Sequence, residues 1–179
     1  MFNARVLESL ANNELDFALV SVLPKNMNIE REELMENKLY LVRQASDNAK
    51  ALPKKTPFEN IPLIYREKGS ATRQAMEQYI EKQNIVHDKQ LELTSNEAVK
   101  QAVLAGLGYS IMPLIGLKNE LVTGDIEILK FKQLPITTNW NLIWLKGKQL
   151  SPVALAYLDF IRENKQEIIE EQFSWYNKY

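Results

Sequence analysis

Residues 91–113 read LELTSNEAVKQAVLAGLGYSIMP, and they contain the signals of a strand followed by a helix. Leu91 and Leu93 alternate with polar residues, which is typical of a short strand. Thr94 and Glu97 have the spacing of a capping box, so a helix is predicted to begin there. The rest of the chain is placed around this unit.

The second half of the stretch predicts the end of the helix and a second strand. The apolar face runs from Val99 to Val103, and Gly106 suits the left-handed conformation past the last turn. Tyr109 to Met112 then resume as a buried strand. Such a crossover is right-handed and its strands are parallel. It leaves the polar turn 94–96 at the carboxyl edge of a sheet, where open α/β folds bind ligands.

The composition describes a globular chain without a strong charge bias. The 179 residues are 45% hydrophobic, with 22 basic and 23 acidic side chains and a net charge of −1. No global charge favours nucleic acid or an anionic membrane, so any DNA contact has to be local. Residues 1–13 lack the apolar core of a signal peptide, and no apolar run approaches the ~20 residues that span a bilayer. We expect a soluble, cytoplasmic protein with no membrane partner.

The N-terminal part predicts a helix and two strands. A helix is expected over residues 3–12, followed by an apolar run, 15–20, that suits a central strand and ends at Ser21. Residues 30–36 are too charged for a core, whereas 38–42 predict a second strand.

The central part begins after a turn-rich connector over residues 46–57. Ile61 to Tyr65 predict a strand, and Ser70 is the expected N-cap of the next helix. Beyond the organising unit, residues 114–122 predict one short helix and 126–129 an alternating strand.

The C-terminal part opens with a second connector at residues 134–136. Trp140 to Trp144 alternate as a strong strand, and Ser151 with Pro152 predicts a helix start. The apolar face of that helix is expected to contain Leu155, Tyr157, Leu158 and Ile161.

Two connectors imply that the chain leaves one lobe and later returns to it. We predict one lobe from residues 1–46 and 138–179, and a second from residues 47–137. A cleft between such lobes is a usual ligand site.

The sequence offers little support for catalysis. His87 is the single histidine and is expected in a solvated loop, and the absence of cysteine excludes thiol nucleophiles, thiolate metal sites and disulfides. No serine lies in a nucleophile elbow, and Gly106-Leu107-Gly108 lacks phosphate-binding spacing. We therefore expect no enzyme activity, no metal site and no cofactor.

The polar residues at two helix starts can each be interpreted in two ways. Arg73 lies in the first turn after Ser70, where a cation opposes the helix dipole by ~0.3–1 kcal/mol. Either an anion compensates, or Arg73 forms a surface pair with Glu77. Ser95 and Asn96 either cap their helix only or, with the other helix start, form an anion cradle.

These residues together resemble the effector-binding domain of LysR-type transcriptional regulators. The resemblance rests on residues 14–20 (ELDFALV), 63–70 (LIYREKGS), 96–99 (NEAV) and 106–113 (GLGYSIMP). It implies an α/β, two-lobed fold like that of type 2 periplasmic binding proteins, each lobe a mostly parallel sheet flanked by helices, with two crossover strands between the lobes.

The family resemblance also implies function and partners. It implies a small-molecule effector in the cleft, a homodimer, and promoter DNA bound only through a winged helix-turn-helix that this sequence lacks. The family's first strand and most of its first helix are also expected to be missing before Met1. The aromatic tail, comprising Phe173, Trp175, Tyr176 and Tyr179, would favour dimer formation.

The expected effector is a small anion, although hydroxyl and amide groups bind neutral ligands as well. An arginine would add a forked contact to it. Seven residues are predicted to contact the effector, one in the first lobe and six in the second: Ser21, Arg66, Ser70, Thr72, Arg73, Ser95 and Asn96. Two other functions compete with this one. A transport solute-binding protein would carry an export signal or anchor, and an enzyme would show a catalytic constellation.

Overall fold

The computed structural model describes residues 2–45, 62–87 and 90–179, so the predicted connector 46–57 lies outside the described residues. The helices and strands, in chain order, are α1 (Phe2–Ala11), β1 (Ala18–Val20), β2 (Ile29–Gln44), β3 (Leu63–Arg66), α2 (Ala71–Lys82), β4 (Gln90–Leu93), α3 (Asn96–Leu104), β5 (Ser110–Pro113), α4 (Lys118–Thr123), β6 (Ile126–Ile128), β7 (Ile136–Leu145) and α5 (Pro152–Phe173).

The chain divides into two compact units. The outer unit comprises Phe2–Asn37 with Thr138–Tyr179, and the central unit comprises Lys38–Thr137. Both changes of unit fall inside strands, β2 and β7. The first change therefore comes earlier than the predicted boundary after residue 46, because β2 is one long strand whose second half pairs within the central unit.

In the outer unit, β1 pairs antiparallel with β7, with Ala18 opposite Ile143 and Val20 opposite Asn141. Among the described strands, β1 lies at the end of the order β1-β7-β2-β5, so its predicted central position is wrong. Ala18 and Val20 are buried, whereas Leu19 between them is 54% exposed. One face of β1 is therefore in the core, and the other is only partly covered.

The long helix α5 covers the sheet of the outer unit. The Ser151 hydroxyl accepts a hydrogen bond from the Ala154 N–H at 3.2 Å, which confirms the predicted helix start. The buried line comprises Ala154, Leu158 and Ile161. The predicted face was too wide, because Leu155 and Tyr157 flank this line and are about half exposed.

The charged stretch 30–36 forms the first half of β2 in the outer unit. It avoids the cost of buried charge through exposure and pairing. Glu30 accepts a hydrogen bond from the Trp144 indole at 2.9 Å, and Glu32 pairs with Arg162 at 3.1 Å.

In the central unit, β3 and β4 are parallel, and a parallel bridge joins Leu63 to Tyr109 just before β5. The other described pairs, β2 with β5 and β2 with β6, are antiparallel. The expectation of a mostly parallel sheet is therefore met only around β3. The reason is that the crossing strand β2 runs opposite to the strands it joins.

The organising stretch forms the predicted strand, helix and strand, β4, α3 and β5. Its tightest packing is at Gly108, where an added Cβ would lie 2.2 Å from the Pro62 carbonyl oxygen. The predicted helix over residues 114–122 is instead a 3₁₀ turn, Leu114–Gly116, followed by α4. Glycine is a poor helix former, and Gly116 falls at the interruption.

In the described part of the chain, no helix is both long enough and apolar enough to cross a bilayer.

Candidate functional site

The register of β3 and β4 brings two helix starts to one edge of the central unit. Arg66, the last residue of β3, lies directly opposite Leu93, the last residue of β4. The chain leaves both strands in the same direction and turns into α2 and α3. We call residues 66–73 and 94–97 the polar edge. It contains six of the seven predicted effector residues.

At the start of α3, Ser95 is the N-cap. Its hydroxyl oxygen accepts a hydrogen bond from the Ala98 N–H at 3.0 Å. The predicted capping box of Thr94 and Glu97 is therefore wrong by one residue. Glu97 instead accepts a hydrogen bond from the Gln101 side chain at 2.8 Å and pairs with Lys100. Its carboxylate is thus directed along the helix.

At the start of α2, Ser70 occupies the N-cap position but makes no side-chain cap hydrogen bond. Its backbone is extended, with φ −73° and ψ 133°, and the residue is only 7% exposed. The first turn of α2 therefore keeps N–H groups that no serine oxygen satisfies.

Arg66 joins the two helix starts through its side chain. It forms a fork with Glu67, with nitrogen-to-oxygen distances of 2.8 and 3.0 Å, and its Nη1 donates to the Asn96 side-chain oxygen. Because that oxygen is occupied, the amino group of Asn96 is the part left to donate. Burial raises the pKa of Glu67, but the hydrogen bonds from Arg66 outweigh it and bring the pKa below its ordinary value.

Arg73, the last residue of the first segment of the polar edge, is buried, at 8% exposure. Its Nε donates to Glu77 at 2.7 Å, and its Nη1 donates to the Arg66 carbonyl at 3.0 Å and to the Glu92 carboxylate. Burial lowers the pKa of Arg73, but hydrogen bonds to Glu77 and Glu92 raise it above its usual value. The expected pair with Glu77 is present, but the arginine is a core residue.

His87 is half-buried, so its prediction as a solvated loop residue is wrong. Its Nε2 lies 2.9 Å from the hydroxyl of Tyr65, and the two ring centroids are 5.8 Å apart. Burial raises the pKa of Tyr65 to about 12. The flat ring of Tyr65 on β3 gives the histidine a packing surface that its polar sequence neighbours do not reveal.

The two remaining predicted residues differ in setting. Thr72 is half-buried in the first turn of α2, within the polar edge, whereas Ser21 is half-buried after β1 in the outer unit. The structure thus brings together Arg66 and Asn96 by direct contact. Sequence reasoning missed Glu67 and Glu92, the carboxylate partners of Arg66 and Arg73.

Within the described ranges, the structure contains no group of three or more histidine, aspartate or glutamate side chains that could hold a metal ion.

The fold is that of the type 2 periplasmic-binding-protein class, which solved relatives share. The family model described as the LysR substrate binding domain matches residues 1–166. The chain therefore belongs to this family, and the predicted family and fold class are confirmed.

Individual relatives are bacterial transcriptional regulators. The chain is 37% identical over 160 residues to the HTH-type transcriptional activator CmpR of Synechocystis, covering 88% of this chain and 52% of the relative. It is 34% identical over 161 residues to a RuBisCO operon transcriptional regulator of Allochromatium vinosum, with 87% and 52% covered. The chain thus spans about half the length of these curated relatives.

A solved structure adds information about a ligand. The regulatory domain of CcmR from Synechocystis PCC6803, in complex with 2-PG, matches with a TM-score of 0.78 and 30% identity. The match covers 88% of this chain and 76% of that chain. Together these relatives favour a regulator's sensing domain over a transport receptor.

Proposed function

We propose that this chain is the sensing domain of a LysR-type regulator and that it binds a small anionic metabolite at the polar edge. Binding would control a DNA-binding domain carried elsewhere in a longer protein. The observation that supports this most strongly is the register of Arg66 with Leu93, which places two helix starts side by side. Helix starts are ready-made sites for anions.

The groups at the polar edge are mainly hydrogen-bond donors. Helix geometry leaves the N–H groups of Asn96 and Glu97 without an intrahelical acceptor, and the Asn96 amino group is left to donate. On α2, Ser70 leaves the first turn uncapped and adds its hydroxyl. A ligand rich in acceptor oxygens, such as a carboxylate or phosphate, satisfies such a set.

The proposal that the ligand is an anion does not depend on a free arginine. Arg66 and Arg73 both have carboxylate partners, so neither is a spare cation. An anion would be held chiefly by N–H groups and by the positive ends of α2 and α3. The related CcmR domain was solved with 2-PG, an anion, which supports the same class of ligand for this chain.

The proposal includes the remaining sequence predictions. Ser21 remains a predicted effector residue, and the residue assignment to two regulatory lobes, the homodimer, the absence of catalysis and a cytoplasmic location belong to the same proposed role. The relatives are transcriptional regulators, which supports this role over that of an enzyme.

A thermal-shift titration with 2-PG tests the proposed ligand class. A ligand at a hundred times its dissociation constant stabilises the folded state by ~2.7 kcal/mol, which gives a measurable rise in melting temperature. We expect Ser70→Ala and Asn96→Ala each to weaken 2-PG by roughly fivefold, the effect of losing one hydrogen bond of ~1 kcal/mol.

Asn119→Ala is the matched control, because Asn119 is an exposed asparagine near the start of α4 in the same unit. It should bind 2-PG as the unmodified chain does. No thermal shift with 2-PG would exclude this ligand. A shift that Ser70→Ala and Asn96→Ala leave unchanged would move the binding site away from the polar edge.

A further inference from the structure

We propose that Arg73 is a positioning residue, which holds the start of α3 in register with the end of β3 and does not contact the ligand. The inference rests on the proposed function, since it concerns how the polar edge keeps its geometry. It also changes the role that the sequence suggested for Arg73, from a ligand contact to a support behind the site.

The side chain of Arg73 connects α2 to both strands that lead into the polar edge. From α2 it reaches the carbonyl of Arg66 at the end of β3, at 3.0 Å, and the carboxylate of Glu92 on β4. Its guanidinium carbon lies 5.4 Å from the ring centroid of Tyr65, the β3 residue that is paired with Glu92. The contacts thus converge where β3 and β4 end.

Arginine chemistry suits this role better than ligand binding. A buried cation is costly, and at Arg73 two carboxylates, a carbonyl oxygen and an aromatic face offset that cost. The planar guanidinium directs its donors along fixed lines, whereas a lysine ammonium is a single point charge on a flexible stem. The Nε and Nη1 donors of Arg73 are already used by the protein, and its side chain is only 9% exposed, which leaves little for an effector.

Glu92 is the link that transmits this constraint to α3. It lies on β4 three residues before Ser95, the N-cap whose hydroxyl accepts from Ala98. Glu77, the other carboxylate partner, lies on α2 itself, four residues after Arg73. Their exposures are similar, 52% for the Glu92 side chain and 49% for that of Glu77. A comparison of Glu92 with Glu77 therefore separates the positioning role of Arg73 from simple compensation of its charge.

Amide hydrogen exchange of the ligand-free chain, with Glu92→Gln compared with Glu77→Gln, tests the inference. For Glu92→Gln we expect exchange at Ala98 and Val99, whose N–H groups donate to Ser95, to accelerate about threefold, the effect of losing a partly exposed ion pair. Glu77→Gln should leave these two amides unchanged. Equal effects of the two substitutions at these amides would overturn the proposal.

Arg73→Lys provides a second test that keeps the positive charge, with Arg43→Lys as its control. Arg43 pairs with Glu127 across β2 and β6 in the same unit. We expect Arg73→Lys to accelerate exchange at Ala98, whose N–H donates to the Ser95 hydroxyl, and Arg43→Lys to leave it unchanged. An unchanged exchange rate at Ala98 in Arg73→Lys would contradict the inference. These readouts require no ligand, so a failure of 2-PG to bind would count against the proposed function alone.

Discussion

Ser70 and Ser95 precede neighbouring helices, but only Ser95 uses its hydroxyl to cap one. Losing a serine N-cap typically costs ~1 kcal/mol of folding stability. We expect Ser95→Ala to lower the free energy of unfolding by about that amount and Ser70→Ala to lower it by much less. Urea unfolding of both variants checks this difference, and equal losses would contradict the assigned caps.

Tyr65 and Tyr79 give a second prediction, concerning stability at alkaline pH. Burial raises the pKa of each to about 12. The unfolded chain loses phenolic protons near pH 10 and the folded chain only near pH 12, so folding stability must fall as the pH rises between these values.

Replacing Tyr79 separates its contribution from other titrations. Tyr79 donates a hydrogen bond to the Lys132 carbonyl at 2.8 Å, so Tyr79→Phe should lower stability at pH 8, where the phenol is protonated in both the folded and the unfolded chain. It should also flatten the fall in stability between pH 10 and 11. Urea unfolding at pH 8, 10 and 11 measures both effects, and an unchanged pH dependence would mean that Tyr79 ionises normally in the folded protein.

The sequence predicted those residues of the polar edge that local rules identify. Ser70 precedes a helix, and Ser95 and Asn96 stand at the start of another, so capping preferences were enough to mark them. The partners of Arg73 and His87 depend on which strand lies beside β3. Strand pairing is a long-range property, and neither Glu92 nor Tyr65 carries a local signal for it.

Gly108 allows the turn between α3 and β5 to pack against the chain before β3. An added Cβ would lie 2.2 Å from the Pro62 carbonyl oxygen and 3.2 Å from an Ile64 side-chain carbon. We expect Gly108→Ala to destabilise the protein by ~1–3 kcal/mol, the usual cost of overpacking. Gly116→Ala is the control, because its added methyl meets nothing within 4 Å. Equal melting temperatures for both variants would contradict the packing.

Elements with both a periodic pattern and a start signal were predicted well. The stretch 91–113 and helix α5 had both, and their types were correct. Residues 114–122 had only an apolar pattern, which did not reveal the interruption at Gly116. The width of the buried face of α5 could not be predicted from the sequence either, because it depends on how much of the helix the sheet covers.

The whole molecule is predicted to form a homodimer, as the family resemblance implies. The aromatic tail is less exposed than the sequence suggested, since Tyr176 is buried and the ring centroids of Trp175 and Tyr176 lie 5.0 Å apart. The prediction therefore rests on the family more than on the tail. Light scattering across protein concentrations should show twice the chain mass, and a monomer at all concentrations would contradict it.

The fold of the whole molecule could be recognised from ordered motifs along the sequence. The point at which the chain first passes from the outer to the central unit could not be predicted, because it depends on β2 continuing through a charged stretch into the central unit. The polar edge similarly required the register of β3 and β4 before its residues formed one site.

An NMR titration of the isotope-labelled chain with 2-PG tests the central claim most directly, because it locates binding residue by residue. The account predicts saturable shifts in the backbone amides of residues 70–73 and 95–97, with those of α4 and β6 nearly unchanged. Saturable shifts confined to other parts of the chain, or no shifts at millimolar 2-PG, would contradict an anion site at the polar edge.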